Sequence, residues 1–211
     1  LTRFRRNFIL VTGSGRCGTG YMAKAFEAAS GLNFGHETVF TNSGMFLNRA
    51  GNLQGDSSWM AAPYLPQLEG SSVTVVHLVR HPLLVIGSLR GIQFFSRLDM
   101  HGEWLKWATR FTPGISCIPK EAVEAWFYFI WNSMIEYHSD YLLKIEDVRL
   151  KTITSILKRA KIQVTDGYEN RVGMISHKYN TRPRANVTWD DIPEPYRSMV
   201  RRMGMRYGYD E

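Results

Sequence analysis

The sequence predicts an α/β fold: three layers, with a mostly parallel sheet flanked by helices on both faces. Short apolar runs of strand length alternate along the chain with longer segments of helical periodicity. The runs are apolar throughout rather than alternating, as expected of strands buried on both faces. A glycine cluster follows the first strong run and an Arg-His-Pro turn ends the second. In open parallel sheets, ligands dock at these carboxyl ends.

Residues 7–12, NFILVT, end at the glycine cluster and read as a buried strand. From Thr19 the chain is rich in helix formers. Tyr21, Met22, Ala25, Phe26 and Ala29 share one face, and Gly31 supplies a stop. Residues 33–37 are expected at the carboxyl end of the next strand, facing the glycine cluster. Residues 73–80, VTVVHLVR, form the second strong strand, and Pro82 suits the first turn of the following helix. Residues 119–139 read as a long helix, because Val123, Trp126, Phe127, Ile130, Met134 and Tyr137 recur at spacings of three and four. A third strand is expected at 140–146 and a helix at about 148–160. Residues 186–195 are loop-like, and 196–205 close the chain as a basic helix. With no repeat, heptad or low-complexity linker, residues 1–211 are expected to form a single domain.

Composition narrows the function classes. The chain has 211 residues, 44% hydrophobic and 21% charged, which excludes disordered and fibrous classes. Lys and Arg total 26 against 19 Asp and Glu, a net charge of +7. That surplus suits an anionic partner: nucleic acid, an acidic membrane or a phosphorylated small molecule. No apolar run approaches the roughly 20 residues that span a bilayer. Cys17 and Cys117 are too few for a disulfide framework or a CxxC metal site, so a reducing, cytoplasmic location is expected. The chain opens at Leu1 rather than Met, which leaves a removed leader open.

Two motifs carry the chemistry. The first is Gly13-Ser14-Gly15-Arg16-Cys17-Gly18-Thr19-Gly20, between a strand and a helix. Its glycines let backbone N–H groups curl around an anion, and the helix adds its positive dipole end. Gly13 and Gly18 have the spacing of a nucleotide P-loop. Thr19 and Gly20, however, stand where that loop places its phosphate-binding Lys and its Mg²⁺-holding Ser or Thr. The loop therefore suits an anion that needs no divalent metal. The second motif is Arg80-His81-Pro82, with Ser88 eight residues after the arginine. A guanidinium at a strand's end is a permanently charged, fork-shaped donor, and Ser88 can offer a hydroxyl to the same oxyanion. A structural Arg–carboxylate pair is the alternative.

Together these motifs resemble the sulfotransferase family, P-loop NTPase-like α/β enzymes whose donor is 3'-phosphoadenosine 5'-phosphosulfate (PAPS). The family's phosphosulfate loop, a basic residue followed by Ser-Gly-Thr-Thr and usually an aromatic, corresponds to Arg16-Cys17-Gly18-Thr19-Gly20-Tyr21, with Gly15 preceding it. Its 3'-phosphate motif corresponds to Arg80, Pro82 and Ser88, and its late strand with Glu-Asp to residues 142–148. Cys17 and Gly20 depart from the pattern and remove two hydroxyl donors. The family's Arg-Lys-Gly clamp is also absent as such, and Arg182 and Arg184 are the local candidates for its task.

The resemblance implies sulfuryl transfer in line from PAPS to an acceptor hydroxyl, leaving adenosine 3',5'-bisphosphate, without metal. The acceptor class is open: a small molecule or carbohydrate bearing a hydroxyl. The base candidates are Glu37 and His36, with Glu37 favoured because many bacterial and carbohydrate-type members carry His-Glu here. Arg16 and the loop N–H groups are expected to stabilise the leaving phosphate. His77 and His81 are expected to be structural. Trp104 and Trp107 are candidates for an acceptor wall, a lid or core. Three competing readings remain: a P-loop kinase or hydrolase with a degenerate loop, an inactive PAPS-binding relative, and a nucleic-acid binder using basic clusters at both ends of the chain.

Overall fold

The structure, a computed structural model, describes residues 7–95, 102–175 and 184–209, without the side chains of 102–105. Along the chain, β1 (Phe8–Thr12) passes through the glycine loop into α1 (Thr19–Ser30). Next come β2 (Phe34–His36) and a small hairpin, β3 (Phe40–Thr41) with β4 (Gly44–Met45). β5 (Gly55–Ser57) leads into a 3-10 segment, Trp59–Leu68. β6 (Val73–Val79), α2 (Pro82–Gly91), α3 (Gly102–Arg110) and α4 (Val123–Glu136) follow. The rest is β7 (Tyr141–Lys144), α5 (Leu150–Arg159), α6 (Tyr168–Gly173) and α7 (Tyr196–Arg206).

Five strands make one parallel sheet in the order β2-β5-β1-β6-β7. The two-residue period of β1 divides its side chains between two cores. Phe8 and Leu10 join Ile86 and Leu89 of α2, Phe127 and Trp131 of α4, and Met203 of α7. Ile9 and Val11 join Met22 and Phe26 of α1 and Ile153 and Leu157 of α5. Every residue of β1 is buried, which is why the run lacks polar alternation. The three-layer α/β architecture expected from the sequence is present.

Three differences have physical causes. β5, Gly-Asp-Ser, is a fully buried strand whose side chains are small or polar, so hydropathy does not reveal it. It lies between β2 and β1, so residues 33–37 are one strand farther from the glycine loop than adjacency in sequence suggests. α4 presents Ala125, Phe127, Tyr128, Trp131, Asn132 and Ile135 as its fully buried face, whereas Tyr137 is 87% exposed beyond the helix end. The buried face is rotated because α4 is enclosed by α2, α7 and the 3-10 segment together. The third strand stops at Lys144, where Ile145–Asp147 coil into a 3-10 turn.

The basic helix α7 is tied to its own fold. Arg197 pairs with Asp190 at 2.8 Å and Glu194 at 3.0 Å, and Arg206 pairs with Glu136 at 2.9 Å. Arg201 lies over the Trp189 ring. The basic cluster at the start of the chain, Arg3 to Arg6, lies outside the described residues. His77 is fully buried, with Nε2 2.9 Å from Asn132 Oδ1, and burial pushes its pKa down to about 4. It is a neutral core residue. His81 caps the start of α2, its ring edge-on to Tyr209. Among the described residues, no helix is long and apolar enough to cross a membrane.

Candidate functional site

The glycine loop leaves β1 at the sheet's carboxyl end and delivers Gly18, at φ 109°, as the N-cap of α1. Only glycine takes that conformation readily. No side chain caps the helix and no acidic residue sits in its first turn, so its dipole is uncompensated there. Ser14 is fully buried, and its hydroxyl has no hydrogen-bond partner among the described residues. Arg16 adopts φ 73°, a left-handed conformation that costs a non-glycine residue on the order of 1 kcal/mol.

The two sequence motifs meet. Arg80, at the end of β6, donates from a terminal guanidinium nitrogen to the Arg16 carbonyl oxygen at 3.2 Å. Arg16 in turn donates from Nε to Ser88 Oγ at 3.1 Å. Tyr128 holds the Arg80 backbone by donating its hydroxyl to that residue's carbonyl at 3.1 Å. Arg184 joins through close packing: the Ala185 N–H donates to the Gly87 carbonyl at 2.9 Å. A Cβ on Gly87 would come within 2.5 Å of the Ala185 oxygen, so only glycine admits the 184–185 segment beside Ser88. Burial, and after it the charge of Arg184, holds Arg80 below the ordinary arginine pKa, with Glu146 opposing. Three guanidinium groups thus crowd one end of the sheet. Arg182 lies outside the described residues.

Two loop residues pack their side chains into the core between α1 and α5. The Cys17 thiol is fully buried in the α1 core, and burial pushes its pKa up to about 12 despite Arg80 nearby. Only its backbone is available to an anion. Tyr21 packs toward the α5 side of α1, where burial raises its pKa and Arg149 lowers it. Gly15, Gly18, Thr19 and Gly20 lie in the loop and the first turn of α1. A Cβ on Gly15 would touch the Trp59 ring at 3.7 Å.

The acid–base candidates reach the same place from β2. His36 Nε2 lies 3.4 Å from Thr19 Oγ1 and 3.7 Å from Glu37 Oε1. Burial pushes the Glu37 pKa from 4.5 up to about 7; neighbouring Asp56 adds to the rise, while the Trp59 indole N–H and Arg16 oppose it. Burial lowers the His36 pKa, so this imidazole is neutral at pH 7. Glu37 adopts φ 56°, a second strained non-glycine backbone in the site.

Trp59 and Asp56 are the residues the sequence reading missed. Trp59 lies in the 3-10 segment, with Trp107, Trp131, Phe94 and Phe127 packed around its ring. Trp107 is therefore core behind the site rather than a lid; the side chain of Trp104 lies outside the described residues.

No protein-family model matches this sequence, and no curated protein matches it at the sequence level. A solved structure matches in fold. The sulfotransferase domain from the Synechococcus PCC 7002 olefin synthase superposes with a TM-score of 0.57 at 13% identity. The match covers 99% of this chain and 97% of that one. This is a sulfotransferase-like fold. At such low identity the likeness concerns the fold alone.

Proposed function

We propose that this chain is a PAPS-dependent sulfotransferase acting on an acceptor hydroxyl by in-line transfer. The observation that carries the reading is the junction of Arg16, Arg80 and Ser88. Two anion-binding motifs separated by more than sixty residues are hydrogen-bonded at the mouth of α1. The donor set fits the nucleotide. Backbone N–H groups at the head of α1, the Ser14 hydroxyl and Arg16 suit a phosphosulfate, while Arg80, Ser88 and Arg184 suit a separate 3'-phosphate. PAPS, when bound, supplies the activated sulfuryl group.

The chain's own residues then have distinct tasks. Arg16 and the loop N–H groups stabilise negative charge as it develops at the head of α1. Glu37 takes the proton from the acceptor hydroxyl. A carboxyl with a pKa near about 7 is substantially ionised at neutral pH and still basic enough to accept a proton. His36, neutral and within reach of Thr19 and Glu37, orients the pair. Thr19 and Gly20 offer neither the lysine nor the adjacent hydroxyl of a nucleotide triphosphatase, which disfavours the kinase reading.

Calorimetric titration tests the assignment. Adenosine 3',5'-bisphosphate is expected to bind without Mg²⁺ and more tightly than ATP with Mg²⁺. Tighter, magnesium-dependent ATP binding would overturn it.

A further inference from the structure

We propose that Asp56 is a positioning residue for Glu37: its buried carboxyl group folds the 37–40 turn and sets negative charge beside the base. The inference deepens the sulfotransferase reading and rests on it only in taking Glu37 as the base.

Asp56 is 1% exposed at the middle of β5, in register with Gly35 of β2 and Leu10 of β1. Its Oδ1 accepts the Thr38 N–H at 3.2 Å, and its Oδ2 accepts those of Val39 at 2.9 Å and Phe40 at 3.3 Å. The Glu37 N–H donates to the Ser57 carbonyl at 3.2 Å. Four consecutive amides are thus anchored to two adjacent residues of one buried strand. This anchoring holds Glu37 in its left-handed conformation. The amide nitrogen of asparagine donates and does not accept, so asparagine would lose part of the set. Gly35 completes the arrangement, since a Cβ there would lie 2.5 Å from Asp56 Oδ1.

The charge has its own consequence. The groups facing Glu37 are His36 at the end of β2, Asp56 on β5, Arg16 in the glycine loop and the Trp59 indole in the 3-10 segment. His36 is neutral, Arg16 and Trp59 favour the Glu37 carboxylate, and Asp56 opposes it. Burial raises the pKa of Asp56 itself, while the amides of residues 38–40 lower it. Burial does most to raise the Glu37 pKa, and the charge of Asp56 adds to it against the cationic loop.

The test needs neither donor nor acceptor. In protein carrying ¹³C-carboxyl Glu, the resonance missing from Glu37→Gln reports Glu37. Its midpoint, about 7 in the wild type, should fall by roughly one pH unit in Asp56→Asn. An unchanged or raised midpoint overturns the proposal. Should Asp56→Asn fail to fold, ¹³C-carboxyl Asp in the wild type decides. An Asp56 carboxyl still ionised through the Glu37 midpoint supports the charge role, and one already protonated there refutes it. With activity in hand, the acidic limb of kcat/KM should move down with the Glu37 midpoint. A midpoint that moves in a protein with no sulfuryl transfer leaves Asp56 standing and sinks the sulfotransferase reading instead.

Discussion

Replacing Glu37 by Gln should stabilise the protein at and above neutral pH, although it removes the proposed base. The folded chain holds the Glu37 proton to about pH 7, against 4.5 for an ordinary glutamate. At about 1.36 kcal/mol per pH unit, that displacement of roughly 2.5 sets an upper bound of about 3.4 kcal/mol. The side chain is 24% exposed, so water relieves part of the cost and about 1–2 kcal/mol is expected. The raised pKa fixes the sign. Below about pH 4.5 both folded and unfolded chains carry the proton and the two proteins are alike. As pH rises toward about 7 the unfolded wild type ionises first, so the wild type loses stability that the variant keeps. Urea unfolding from about pH 5 to about pH 8, followed by tryptophan fluorescence, measures the gap. Parallel stability curves would refute the account of Glu37 as a carboxyl whose ionisation burial penalises.

Arg80→Ala should weaken binding of adenosine 3',5'-bisphosphate by about 1.5–3 kcal/mol while leaving adenosine 5'-phosphate nearly unaffected. Equal losses in calorimetry would contradict the 3'-phosphate role. Trp59→Phe removes the indole N–H that favours the Glu37 carboxylate. The acidic limb of kcat/KM should therefore move to higher pH, and a move to lower pH would contradict the contact. Cys117 is exposed and Cys17 buried, with its pKa pushed up to about 12. A disulfide reagent should thus titrate one thiol in the folded protein and both in urea. Rapid reaction of both in the folded protein would show that the loop opens.

The legible parts of the sequence are those whose physics is local. β1 and β6 are apolar runs ending in a glycine loop or a proline turn, and Arg80 and Ser88 sit eight residues apart across one helix start. Fixed spacing and composition carry that much. β5 was not legible, because a Gly-Asp-Ser triplet becomes a strand only by pairing with β1 and β2, which bury it. Asp56 follows from β5, since its value lies in amides from another strand's turn. Trp59 reads as any core aromatic until the fold brings its indole to Glu37. Arg184 depends on Gly87, where a missing side chain is noticeable only once a second segment lies across it.

Arg80 and Ser88 are both hydrogen-bonded to Arg16. On the proposed reading, these contacts would set the distance between the two cradles, like the gap of a calliper locked before measuring. Such a spacing would select by span: a molecule whose two anionic ends lie too close together would engage one cradle and forfeit the other. Discrimination would then rest on length between charges as much as on charge itself.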